Sequence, residues 1–129
     1  MSNTLIQGRI VWVELLDPQG RNPKVRPAVV PTDTAEVRSD GAVVVVAVTS
    51  QLDSAPADLC VELPWHRDGH PRTKLNRRNV AVCNWLATIP VVEIRSVGGQ
   101  VPVGEMRRIL AIVSGENDLG SSPPPPATP

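Results

Sequence analysis

Apolar residues fill both faces of the chain from Ile10 to Leu16. Ile10, Trp12, Glu14 and Leu16 share one side of an extended backbone, and Val11, Val13 and Leu15 share the other. That spacing predicts a strand. The segment DPQGRNP, with two prolines and a glycine, breaks it, and KVRPAVV resumes as a second strand. DTAEVRSDG is another polar break, closing on an Asp-Gly dipeptide of the kind favoured in hairpin turns. The β-branched run AVVVVAVTSQL lacks alternation, which predicts a central strand buried on both faces. LCVELP predicts a short strand and NVAVCNWLATIPV a longer one. Periodicity then changes. Val103, Met106, Leu110 and Val113 recur at helical spacing with Ile109 beside them, predicting an amphipathic helix. Pro102 precedes it, Gly115 stands where a C-terminal cap belongs, and Arg107 and Arg108 fall on the outer face. Five strands and one late helix predict a mainly β fold with a C-terminal helix, as a small antiparallel barrel or curled sheet. The ending ENDLGSSPPPPATP has five prolines and no apolar period, so residues 116–129 read as a disordered tail on a domain spanning 1–115.

One domain is what 129 residues accommodate. The chain has no Phe and no Tyr, and Trp12, Trp65 and Trp85 are its whole aromatic supply. Recognition of RNA by base stacking alone is therefore excluded, and contacts must rest on other groups. A formal net charge of zero excludes a uniformly basic surface, but the charges are segregated. Residues 32–58 hold five acids against Arg38, and residues 65–80 hold five bases against Asp68. The second segment can carry a field that attracts a polyanion, or it can be a solvated loop. Cys60 and Cys83 read as buried thiols of a reducing cytosol. The opening residues lack the apolar core of a signal peptide, and no run approaches the ~18–20 residues of a membrane span. The expected location is cytoplasmic.

Candidate chemistry narrows quickly. Cys60, His66, His70 and Cys83 supply the elements of a metal site but not the tight ligand spacing that marks one, so neither metal nor cofactor is expected. No G-x-S-x-G is present, no cysteine lies in a polar basic setting, and VGGQVPVG lacks the Lys-Ser/Thr of a phosphate-cradling loop. What remains is a polar set at strand ends. Arg26 opens the second strand, while Thr49, Ser50 and Gln51 close the third. Antiparallel neighbours would bring Arg26 and Thr49 to one rim, where an arginine fork and a hydroxyl suit a phosphate. The pattern equally allows Arg26 to pair with Glu14 or Asp17 on the adjacent strand.

These residues, in this order, resemble the PemK/MazF family of toxin endoribonucleases. The resemblance covers most of residues 8–113 and is strongest at Gly8, Trp12, Asp17-Pro18, Arg26-Pro27 and Thr49-Ser50-Gln51. It implies an SH3-like small barrel with helices, a homodimer, neutralisation by a cognate antitoxin, and metal-independent cleavage of single-stranded RNA. It also implies a catalytic pair, carried here by Arg26 and Thr49. RNA contacts are expected from Arg21 and Lys24 before the second strand, and from Ser50 and Gln51 after the third. The basic segment adds His66, His70, Arg72, Lys74 and Arg77, its histidines being the natural candidates for proton transfer near neutral pH. The chain departs from the family's pattern in the loop before Arg26, which lacks a glutamate, and in NWLATIP, where charged residues are replaced. Two rival readings keep the same scaffold. One is a non-catalytic barrel that binds RNA or protein. The other is a CcdB-type gyrase poison, which the proline-rich end without a Trp disfavours.

Overall fold

The computed structural model describes residues 6–17, 19–31, 41–53 and 55–115. The proposed tail and residues 32–40 of the acidic 32–58 segment lie outside the described residues. The strands are β1 (Arg9–Leu15), β2 (Lys24–Val29), β3 (Ala42–Thr49), β4 (Cys60–Glu62), β5 (Val80–Pro90) and β6 (Ser96–Gln100), followed by the helix α1 (Val103–Val113). They form one antiparallel sheet in the order β4-β5-β3-β2-β1-β6. As its unbroken β-branched run predicts, β3 is interior, and across 43–49 only Val44 escapes full burial.

The sixth strand was not expected. Its sequence, SVGGQ, has no apolar alternation, and its glycines serve close approach instead of packing. A Cβ on Gly98 would stand 3.3 Å from the Ile10 carbonyl oxygen and from Trp12 Nε1. A Cβ on Gly99 would collide with the backbone carbonyls of Arg72 and Thr73.

Each face of the sheet carries a core. One gathers Ile10, Val29, Val46, Val48, Val61 and Leu63 with Met106 and Ile109 of the helix. The other gathers Val11, Val13, Leu15, Val43, Val45 and Ile89. The helix lies against β4 and β5 and ends as its glycine predicts, with Gly115 at φ 81° and its N–H donating to the Ile112 carbonyl at 3.1 Å. Arg107 and Arg108 face solvent. Val103 does not join the buried stripe. It is the first helical residue and remains 66% exposed.

The two edge strands are not paired to each other, and the segment 63–79 spans the gap. It leaves β4 and reaches the other edge, where Gln100 N–H donates to the Arg72 carbonyl at 2.8 Å. Within the segment the backbone N–H groups of His66 and His70 both donate to the Leu75 carbonyl at 3.1 Å. The buried Thr73 hydroxyl donates to the Pro64 carbonyl at 2.7 Å and accepts from Leu75 N–H at 3.1 Å. The basic stretch is thus folded, not a loose solvated loop.

Cys83 belongs to the first core, and burial, with a smaller contribution from Cys60, pushes its thiol up to about 11. Cys60 is only half-buried, and burial and then Asp58 raise its thiol too, so the thiolate is disfavoured at both.

Two measurements follow from this packing. Gly99→Ala should lower stability by about 1–3 kcal/mol or more, because only backbone could give way. Gly104→Ala, in the first turn of α1 with open space around it, should raise stability by about 0.5–1 kcal/mol. Urea midpoints read both, and a Gly99→Ala protein as stable as wild type would show that the segment at Arg72 is free to move. The second measurement concerns pH. Since the folded value of Cys83 lies above its ordinary 9.0, its contribution is complete below pH 9 and is lost as pH rises towards 11. The stability difference between wild type and Cys83→Ala should narrow over that window. Thiolate absorbance from Cys83 in native protein below pH 9 would contradict it.

Candidate active site

In β2 and β3, Ala28 stands opposite Ala47 and Val29 opposite Val46. Two residues past the Ala28–Ala47 pair, where the ladder has ended, stand Arg26 and Thr49. Both line a cleft of about 420 Å³, within the roughly 300–1,000 Å³ of ligand pockets. The start of β2 contributes Lys24 and Arg26, and the end of β3 contributes Thr49 and Ser50. Segment 63–79 supplies Lys74, Leu75, Asn76, Arg77 and Asn79, and Trp12 adds an indole. Lys24, Arg26, Lys74 and Arg77 are cationic, and no described lining residue is acidic. In a chain of zero formal charge, this concentrates positive potential where an anion would relieve the repulsion.

Arg26 is half-buried and sits opposite Val13 of β1. Its guanidinium carbon lies over the Trp85 ring, 5.0 Å from the centroid. Among the described residues it has no ion pair, so the pairing with Glu14 or Asp17 that the pattern allowed is not made. Asp17 is committed to its own turn. Its Oδ1 accepts from Gln19 N–H at 3.0 Å and Arg21 N–H at 2.8 Å, and its Oδ2 accepts from Asn22 Nδ2 at 2.8 Å. These bonds, the Arg21 backbone N–H foremost, hold its carboxyl below the usual carboxylate range. The Arg26 Nε–H is buried without an acceptor. An unpaired buried donor costs about 1–3 kcal/mol, and a desolvated cation–π contact contributes about 2 kcal/mol. The two nearly offset. Arg26 is held in place with one donor still unmet.

Thr49 is buried at 4% exposure, and its Oγ1 accepts from Gln51 N–H at 3.1 Å. Its own O–H therefore remains available to donate. Asn79 was not singled out from sequence. It is 3% exposed, and its Nδ2 donates to the Arg77 carbonyl at 2.8 Å. A carbonyl can only accept, so the amide orientation is set, and Oδ1 is left buried without a partner. Trp85 was missed as well, because nothing in a strand sequence reveals a partner two strands away.

Five candidates lie off the cleft lining: Arg21, Gln51, His66, His70 and Arg72. Arg21 is exposed in the Asp17 turn. Arg72 spends its N–H on His70 Nδ1 at 3.0 Å and its carbonyl on Gln100. His70 Nδ1 also accepts from Thr73 N–H at 3.3 Å, and His66 Nδ1 accepts from Asp68 N–H at 3.1 Å. Both imidazoles brace the segment. Arg78 turns away to Glu62 at 2.8 Å. Among the described residues no three His, Cys, Asp or Glu side chains come together as a metal site.

Fold and cleft together define a class, small curled sheets with a C-terminal helix and a phosphate-suited cationic cleft. The family described as PemK-like, MazF-like toxin of type II toxin-antitoxin systems matches residues 6–114, and the chain belongs to it, a family of RNA-cleaving enzymes. Among solved structures the chain is similar to MazF (Form-I) from Deinococcus radiodurans, with TM-score 0.69, 20% identity, and coverage of 93% of this chain and 100% of that one. It is similar to an endoribonuclease in complex with its cognate antitoxin from a mycobacterial species, with TM-score 0.66, 16% identity, and coverage of 92% and 98%. It is also similar to the Mycobacterium tuberculosis toxin MazF-mt6, with TM-score 0.62, 19% identity, and coverage of 85% and 97%. At these identities the likeness is one of fold. No curated protein matches the sequence.

Proposed function

We propose that this toxin cleaves single-stranded RNA at preferred sequences, without a metal ion, by attack of a ribose 2′-OH on the adjacent phosphorus. The observation that carries the reading is a cleft lined by both Arg26 and Thr49, ringed by cations and free of acidic lining residues among those described. In the reaction the 2′-oxygen bonds to phosphorus and the P–O5′ bond breaks, leaving a 2′,3′-cyclic phosphate and a 5′-OH. The 2′-OH gives its proton to water and the departing 5′-oxygen takes one back. Charge grows on the non-bridging oxygens, where preorganised donors stabilise most. Arg26 meets one oxygen with its guanidinium, and the Thr49 hydroxyl donates to the other. Lys24, Lys74 and Arg77 hold the flanking phosphates. Among the described residues the lining holds neither imidazole nor carboxylate, so these residues act by charge stabilisation and offer Mg²⁺ no carboxylate ligand.

The protein works as a homodimer restrained by a cognate antitoxin, as one mycobacterial neighbour was solved with its own. Exposed Leu16 and Leu86, which line one depression with half-buried Trp85, are apolar surface that such partners would cover. Its RNA substrate assigns its action to the cytoplasm, and residues 1–115 form the toxin domain, with 116–129 a tail outside it.

Arg26→Ala should slow cleavage of a mixed-sequence RNA by roughly 10²-fold or more while RNA affinity falls far less. Arg26→Lys should recover only part, because a point charge lacks the planar fork. A folded Arg26→Ala protein cutting at the wild-type rate would sink the assignment, and cleavage lost in EDTA but restored by Mg²⁺ would remove metal independence. Binding with no cutting of any RNA would return the non-catalytic barrel.

Lys74→Ala and Arg77→Ala should each reduce the salt slope of RNA binding by about 1, whereas Arg72→Ala should leave it unchanged. Equal slopes for all three would show that the cleft does not select among these cations.

A further inference from the structure

Trp85 stands in NWLATIP, where the chain departs from the family's pattern, and none of the site's chemistry so far uses it. It reaches Arg26 because β5 is irregular. Val46 of β3 pairs with Leu86 and Val48 pairs with Ala81, so β5 consumes five residues where β3 consumes two. Such a bulge re-aims side chains. Trp85 packs against the second core, and Ala28, two residues beyond Arg26, lies in that same core. The indole therefore crosses the face of β3 to lie under a guanidinium on β2.

We infer that Trp85 is a positioning residue for Arg26, fixing its guanidinium at the cleft by the ring face in place of a carboxylate. The inference rests on the reading of Arg26 as the phosphate-binding group. Glu14 does not compete for it: it sits opposite Val25, on the other face of the sheet from Arg26, and forms no ion pair with it. A carboxylate would occupy two guanidinium N–H groups and cancel the charge. An indole face holds the cation through its quadrupole and leaves the N–H edges for phosphate oxygens. The unpartnered Nε–H fits this arrangement, since a ring-held guanidinium keeps a donor that a carboxylate fork would have satisfied.

The test joins a spectroscopic readout to a double-mutant cycle. In wild-type protein the Arg26 Hε resonance should be shifted upfield by the indole ring current, and Trp85→Leu should abolish the shift. Trp85→Leu should lower kcat for a single-stranded RNA about tenfold or more, with KM within about twofold. Trp85→Phe should recover most of the rate. Adding Trp85→Leu to Arg26→Ala should cost nothing further, because the two act as one unit. Should Trp85→Leu not fold, Trp85→Phe and its double with Arg26→Ala carry the same cycle with a smaller expected loss. An unshifted Hε overturns the inference, as does an unchanged kcat in a folded Trp85→Leu protein or the same loss once Arg26 is absent. If instead Arg26→Ala cuts at the wild-type rate, the role of Arg26 itself fails, and Trp85 loses its role through a different variant.

Discussion

The close contact between the backbone of Gly99 and the peptide joining Arg72 to Thr73 is the constraint on which the site depends. It fastens the last strand to a segment that leaves the opposite edge of the sheet, and Gln100 N–H seals the contact at the Arg72 carbonyl. A six-stranded sheet with two open edges is thereby wrapped into a barrel-like body without a closing ladder. The wrap also decides where the charges go. With Arg72 and Thr73 pinned, Lys74, Arg77 and Asn79 are carried over the rim where β2 begins and β3 ends. Side chains from the far end of the sheet thus meet Arg26 and Thr49.

That meeting is electrostatically unfavourable by itself. Cations share one cleft with no acidic lining residue among those described, and two buried polar atoms, Arg26 Nε and Asn79 Oδ1, lack partners. Each such atom costs about 1–3 kcal/mol, which is large against a total stability of about 5–15 kcal/mol. Elsewhere among the described residues the charges are arranged conventionally. Asp17 closes its turn, and Glu62 takes Arg78. Arg9 Nε and Gln100 Oε1, off the cleft, are also buried without a partner, so it is the unopposed cations, more than the unmet atoms, that set the cleft apart. The two apolar cores and the pinned segment hold it in that state.

Strand and helix periodicities are local, so β1 to β5 and α1 could be read from the order of residues. So could the neighbourhood of Arg26 and Thr49, since an antiparallel pair sets the start of one strand beside the end of the next. The pattern also placed Gly115 at the helix end, and the Gly8, Trp12, Arg26-Pro27 and Thr49-Ser50-Gln51 combination pointed to the family. Other facts were set only by packing between distant segments. Strand β6 pairs through glycines that show no alternation. Within the basic segment, composition cannot separate cations that face the cleft from Arg72 and the two histidines, which brace the backbone, because closure against Gly99 makes that division. Trp85 reaches Arg26 only because β5 gains three residues on β3, an irregularity that neither strand's own sequence displays. Sequence alone determined which segments extend or coil and that Arg26 and Thr49 come to one rim. Tertiary structure decided which charges join them and what holds the arginine, because register and close backbone approach are properties of pairs of segments and not of any one.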